Sequence, residues 1–493
     1  MKTTGFRLLA VLATLWVGGA CGDDSPGGTN QNQPQLIGAA GVAITEVIVY
    51  QGPRCSIMSG GLARVCDVPL INGRDALIRV FYQAEPSMVG QTVLGRLTID
   101  ADHTYEVGVD LGAASSEEDL LSTANFVVPG EAINQFLSYQ VGLLREGEAS
   151  NDNPAARFPA LGMQPVTVDG IINTFRVILA PLAYCTDGSC RVPNLGPTQV
   201  EGYRQRFLQL YPVTDVEVSV RDAYNWNSVI GPDGTGWQQV GMTVAGFRGT
   251  DQESADVYYY GIFNPAASLS AFCGGGCMLG VTLLNASPPV EGNPQLRFAL
   301  GVGFDDVGMD TAAHELGHAH GLEHVNCGIG LDPASIDYNY PHDPNSIGVW
   351  SWDIVNEVLI DPDTKTDIMG YCANPWISDY HYSKLYDRAA WVNLPRWYVP
   401  GLQLKYRIVS VDGSGGGTIN DSVTRTSHDL RGQPVEVLTY GLDGSSNVIG
   451  QYFRWDHLPG GLVFLPEPES PIERAELMVR GIHTVADLRV NQH

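Results

Sequence analysis

The sequence predicts a multidomain protein, with an α+β middle region flanked by two β-sandwich-like domains. Three observations predict it. The chain has 493 residues, too many for one ordinary core at roughly 100 to 200 residues per domain. Its two ends read as short β-branched or alternating runs broken by Gly, Pro and Asp clusters. Its middle alternates strand-like runs with stretches of helical spacing.

Residues 1–20 read as an export signal, with Lys2 and Arg7 as positive charge, Leu8 to Val17 as an apolar core and Gly18-Gly19-Ala20 as a small-residue cleavage region. About a dozen apolar residues are too few to span a bilayer, and no later stretch is long enough. Gly-Gly-Ala followed by Cys21 resembles the end of a bacterial lipoprotein signal. That resemblance implies lipidation of Cys21 and a cell-envelope membrane anchor, with plain secretion as the alternative. Residues 21–36 lack apolar periodicity and read as a flexible tether.

Residues 37–168 form the first β-sandwich-like domain, with strands expected at Val42 to Tyr50, Asp75 to Tyr82, Val93 to Ile99 and Gln140 to Leu144. Residues 169–400 form the α+β region. Strands are expected there at Thr174 to Leu182, Val216 to Val220, Ala255 to Ile262, Met278 to Leu284 and Phe298 to Phe304, with helices at Thr198 to Tyr211 and Met309 to Gly321. Residues 401–493 return to short strands, at Leu402 to Val411, Val435 to Tyr440, Gly461 to Leu465 and Ala475 to Val479. No repeat of fixed period is present, which excludes a solenoid or propeller.

Hydrophobic residues at 44% with 17% charged mark a globular chain. Lys and Arg number 28 against 54 Asp and Glu, a formal net charge of -26. That field repels nucleic acid and bare anionic membrane, so the membrane is reached only through the lipid anchor. With Cys21 set aside, eight of the 9 cysteines remain. Their number suits an oxidising compartment. Proximity proposes Cys55–Cys66, Cys185–Cys190, Cys273–Cys277 and Cys327–Cys372 among the 105 connectivities that eight cysteines allow. A zinc ribbon is the rival use, but paired C-x2-C spacing is missing.

The segment from His314 to His324 reads H-E-L-G-H-A-H-G-L-E-H and fits H-E-x-x-H-x-x-G-x-x-H in full. On a helix His314 and His318 are four residues apart, so both imidazoles leave one face and can hold one Zn2+. Glu315 can reach a water at the metal as general base. Gly321 lets the chain turn out of the helix in a left-handed conformation and bring back His324 as third ligand. Three imidazoles leave a fourth position open, the mark of catalytic zinc. His320, two residues from His318, points away from that face and reads as a solvated or supporting histidine.

The extended motif resembles that of the metzincin zinc endopeptidases. These proteins carry a methionine turn beneath the zinc, and Asp367-Ile368-Met369-Gly370-Tyr371 is the matching segment. The resemblance implies a metzincin-like catalytic domain with a twisted mixed sheet and an active-site helix. It also implies Met369 as floor of the site, and Tyr371 as a zinc ligand or a hydrogen-bond donor to the oxyanion. A Cys327–Cys372 bridge would clamp the two halves. Val325 after the third histidine matches none of the residues that mark the astacin, serralysin, adamalysin or matrixin branches, so the branch is open. The strand at Met278 to Leu284 would bind substrate backbone as an added strand.

Weaker signals are a cysteine at Pro53-Arg54-Cys55 that faintly resembles an inhibitory propeptide cysteine, and a calcium site at Asp361, Asp363 and Asp367. The expected function is an exported zinc metalloendopeptidase acting on protein or glycoprotein. A surface adhesin with a structural or silent zinc site is the alternative, and a zinc amidase acting on a non-protein amide is a third.

Overall fold

The structure, a computed structural model, describes residues 35–100, 102–284, 294–328, 330–394, 403–426, 432–467 and 471–488. The export segment 1–20, Cys21 and the tether to residue 34 lie outside the described residues.

At the centre is a sheet ordered Asp215–Val220, Thr174–Tyr184, Val257–Phe263, Phe298–Val302, Gly280–Thr282. The first four strands are parallel and the edge strand Gly280–Thr282 is antiparallel. Successive side chains of a strand point to opposite faces, and here both faces are buried. Phe175, Val177, Leu179, Tyr258, Tyr260 and Ile262 enter one core. Ala180, Leu182, Val257, Tyr259, Phe263 and Leu300 enter the other. Buried on both sides, Val257–Phe263 and Phe298–Val302 read as near-continuous apolar runs, whereas the edge strand Asp215–Val220 is mostly exposed.

Five helices are present among the described residues: α1 (Pro197–Leu210), α2 (Trp237–Asp251), the single turn α3 (Leu269–Phe272), α4 (Asp305–Ala319) and α5 (Asp379–Asn393). Helices α1, α4 and α5 cover the first face, and that core runs on into the amino-terminal sheets. Those two sheets are ordered Leu62–Ala63, Arg54–Ser59, Val42–Tyr50, Ala76–Ala84, Ala124–Val128 and Gln35–Gly38, Ser138–Gly147, Thr92–Ile99, His103–Asp110. Helix α2 covers the second face, where Phe453, Trp455, Leu462 and Phe464 of the carboxy-terminal unit join it.

The predicted fold class is corrected by this architecture. The chain is mostly β, 41% strand against 20% helix, and is not a compact α+β metzincin. The described residues after 402 form a closed seven-stranded barrel rather than a second sandwich. Closure depends on Gly416–Thr426 pairing in parallel with Ile482–Leu488, and Gln403–Val411 pairing with Gly461–Pro466. Hairpin patterns look alike in open and closed sheets, because pairing between sequence-distant strands leaves no local signal. Among the described residues no helix is long and apolar enough to cross a membrane.

The eight cysteines of the described residues form four disulfides, Cys55–Cys66, Cys185–Cys190, Cys273–Cys277 and Cys327–Cys372.

Candidate metal centre

Helix α4 opens with Asp305 and Asp306, whose charges suit the positive end of a helix. It closes on Gly321 at φ 97, a conformation that a Cβ resists. The Gly321 N–H donates to the His318 carbonyl (2.8 Å) and the Leu322 N–H to the Gly317 carbonyl (3.1 Å). These two bonds make a Schellman turn, which satisfies the last carbonyls and sends the chain back toward the helix. The next residues are fixed by pairing: the His324 N–H donates to the Ser335 carbonyl (2.8 Å) and the Val325 N–H to the Met369 carbonyl (3.0 Å).

The result is three imidazoles facing one point. His318 Nε2 lies 3.1 Å from His314 Nε2 and 3.1 Å from His324 Nε2. The other ring nitrogens decide the tautomers. His314 Nδ1 is 2.6 Å from the Ile368 carbonyl and His318 Nδ1 2.8 Å from the Leu322 carbonyl, so both must donate there. His324 Nδ1 is 2.9 Å from Ser335 Oγ, whose own proton goes to the Asp332 carbonyl, so it donates too. Three Nε2 lone pairs therefore converge with no proton between them. Such an arrangement is repulsive without a cation and is how imidazoles are oriented around a metal.

Two groups that the sequence reading missed complete the cluster. Asp456 and His457, in the turn between barrel strands Gly444–Arg454 and Gly461–Pro466, offer ligand atoms within 4.8 Å of those of the three histidines. Asp456 Oδ2 is 3.1 Å from His318 Nε2, 3.6 Å from His324 Nε2 and 2.6 Å from His457 Nε2. A carboxylate with a histidine beside it has no spacing rule relative to a distant helix, and only the barrel's docking brings it here. This His/Asp group could hold a metal ion, and its nitrogens and carboxylate suit a divalent one.

Burial lowers His314 and His457 to about 3, which keeps them neutral. His324 is depressed further by burial and by His318 and His314. Burial also depresses His318, but the Asp456 carboxylate outweighs it and leaves that ring raised.

Glu315 lies beside the cluster, buried, with Oε1 3.6 Å from His457 Nε2 and Oε2 without a hydrogen bond. Burial, and then Asp456, push its carboxyl well above the usual range. The edge strand reaches it closely: a Cβ at Gly280 would stand 2.5 Å from Glu315 Oε1. Met369 is fully buried beneath α4, where a Cβ on Gly317 would lie 2.7 Å from its sulfur. The Tyr371 hydroxyl is 3.1 Å from His324 Nε2 and 2.6 Å from His457 Nδ1. Its N–H donates to the Cys327 carbonyl (2.7 Å), next to the Cys327–Cys372 bridge.

Three weaker expectations are corrected. His320 is not solvated: it is buried against Phe175 and Tyr211 and stacked on Tyr258 at 4.2 Å, and burial lowers it to about 3. Asp361, Asp363 and Asp367 do not gather into a calcium site, since among the described residues the five-membered His/Asp group is the one cluster found. Asp361 caps a short turn and Asp367 is buried against His381. Cys55 is tied to Cys66 and is no metal ligand.

Compared with known proteins, the sequence matches no protein-family model and no curated relative, so the chemistry of the site rests on its own geometry.

Proposed function

We propose that the chain is an exported, lipid-anchored, zinc-dependent endopeptidase acting on protein or glycoprotein. The reading is carried by the convergence of three imidazole lone pairs beside the buried carboxylate of Glu315, on a motif resembling that of the metzincins. His314, His318 and His324 would hold the ion, and neutral nitrogen ligands suit zinc. Bound there, zinc supplies Lewis acidity toward a carbonyl oxygen and makes water more acidic. Glu315 accepts the proton of the attacking water and returns it to the leaving amine. The Tyr371 hydroxyl donates to the oxyanion as the carbonyl becomes tetrahedral. The edge strand Gly280–Thr282 aligns substrate backbone by adding a strand. Four disulfides support export, and Cys21 behind an apolar segment supports the anchor.

The test is Glu315→Ala with zinc content and cleavage of casein and a mucin-type glycoprotein measured together. Because Asp456 stands among the histidines, the comparison is made in the natural sequence and again with Asp456→Ala. Glu315→Ala is expected to keep its zinc and lose cleavage by about 10²- to 10⁴-fold. Retained zinc with undiminished cleavage would reject the role of Glu315.

One observation favours a second reading. Asp456 and His457 make the set of ligands nearly closed, as around a structural ion, which suits an adhesin or other binding protein. On that reading neither sequence cleaves, and removing Asp456 releases the metal.

A further inference from the structure

Packing alone does not explain Asp456. Its side chain is fully buried, and neither carboxylate oxygen has a hydrogen-bond donor of good geometry. A buried carboxylate without donors is costly unless a cation answers it. The position beside the three histidine nitrogens is where that cation would sit, so Asp456 faces the coordination site that three imidazoles leave open.

The chain carrying Asp456 also covers the substrate edge. The Leu284 N–H donates to the Arg454 carbonyl (3.1 Å) and the Asp456 N–H to the Thr282 carbonyl (2.9 Å). Between them Leu283 and Trp455 form an antiparallel bridge. These bonds use the outer rim at Thr282, Leu283 and Leu284, the end of the edge on which a bound peptide would pair. The segment is anchored on both sides. Trp455 is 1% exposed and packs edge-on to Phe298 at 6.2 Å. A Cβ on Gly241 of α2 would fall 2.7 Å from the Trp455 ring, so the helix is open at that point to admit it. Arg454 pairs with Asp332 (3.1 Å) and donates to the Ala334 carbonyl (2.9 Å), gripping the loop that orients His324 through Ser335. His457 then engages the remaining machinery, at 2.6 Å from the Tyr371 hydroxyl and 3.6 Å from Glu315.

We propose that the turn Arg454–His457 of the barrel is a built-in inhibitor: Asp456 takes the open metal position, Arg454 to Asp456 fill the substrate edge, and the folded chain is held latent until the turn withdraws. This rests on the zinc-peptidase reading. It assigns the barrel a regulatory task that a spacer or glycan-binding module would not need, because neither requires a buried carboxylate at the metal.

The experiment uses the full chain, as the natural sequence, Asp456→Ala and the isosteric Asp456→Asn. Zinc content is measured first. Each protein is then loaded with Co2+, and acetohydroxamate, a small bidentate metal chelator, is titrated against the visible spectrum. Each variant is expected to keep one metal per chain, to change the Co2+ spectrum, and to bind acetohydroxamate on the order of 10²-fold more tightly, the advantage of removing a tethered competitor. Equal hydroxamate affinity in all three proteins overturns the inhibitor while leaving the zinc reading intact. Loss of metal from both variants also overturns it, because Asp456 is then a structural ligand. No metal in any of the three rejects the zinc reading and the inhibitor with it.

Discussion

Beneath the metal cluster, Asp367 holds the methionine turn by four contacts. Its carboxylate accepts from the Met369 N–H (2.8 Å) and the Ser378 N–H (3.1 Å) and lies 2.8 Å from His381 Nδ1, while its carbonyl accepts from the Gly370 N–H (3.0 Å). Burial pushes this carboxyl up, but His381 and the donated hydrogen bonds outweigh burial and leave it below the usual range. The sign follows: a depressed folded pKa contributes stability that is present above the unfolded value of about 3.9 and is lost as pH falls through the folded value. Acid titration of the natural protein, followed by the unfolding midpoint, should therefore steepen below pH of about 4, and Asp367→Asn should flatten that limb. Asp367→Ala leaves His381 without its partner and should cost about 3 kcal/mol in denaturant unfolding at neutral pH. At this scale the eleven-residue motif made His314, His318 and His324 legible, because a helix and one glycine turn determine their convergence locally. Asp456 and His457 were not legible, since their approach depends on how the barrel docks. His320 sits in the same motif, yet its surroundings of Phe175, Tyr211 and Tyr258 come from other elements, so spacing alone misread it.

Helix α4 and the edge strand meet so closely that the strand requires glycine at position 280. Gly280 faces Glu315 and Thr311, with a Cβ falling 2.5 Å from Glu315 Cγ and 2.7 Å from Thr311 Cγ2. Gly280→Ala must push Glu315 off its position, and a misplaced base loses about 10²-fold in rate. Measured in the Asp456→Ala background, which opens the site, the variant should keep its metal and its fold, and lose cleavage; undiminished cleavage at full metal content would show that Glu315 needs no such placement. The elements differ in how far they could be read. The strand at Val42–Tyr50 and helix α1 carry period-two and helical patterns that survive in any packing. Helix α2 is hard to see because Gly241, Gly246 and Gly249 interrupt its propensity; tertiary burial of Trp237, Val240, Val244 and Phe247 sustains it. The edge strand is shorter than the apolar run Met278 to Leu284: it pairs with Phe298–Val302 only over Gly280–Thr282, and Leu283 bridges instead to Trp455 of the barrel's turn.

The two flanking β units are fused to the central sheet rather than strung beside it, and one arginine shows how. Arg74, buried in the amino-terminal unit, donates from Nη1 to the Tyr211 carbonyl (2.9 Å) and the Val213 carbonyl (2.7 Å), and from Nη2 to the Leu208 carbonyl (2.6 Å). Its Nε donates to the Gln51 carbonyl (2.8 Å), and the Tyr382 hydroxyl of α5 reaches the same carbonyl (3.2 Å). The apolar core on this side is continuous from Ala39 through Tyr203 and Leu316 to Val392. A boundary drawn where strand pattern gives way to helical spacing marks a change of local structure, but it does not mark an independent core. Arg74→Ala removes a buried guanidinium from four carbonyls; that of Gln51 keeps the Tyr382 hydroxyl and that of Tyr211 the Val213 N–H, and each acceptor left unsatisfied costs about 1 kcal/mol or more. If the units are one cooperative body, calorimetry of this variant should show the sandwich and the metal-bearing helix unfolding together, with the whole transition moved down by several degrees. An early separate melting of the amino-terminal sheets, with the metal still bound, would show instead that the shared core does not couple them.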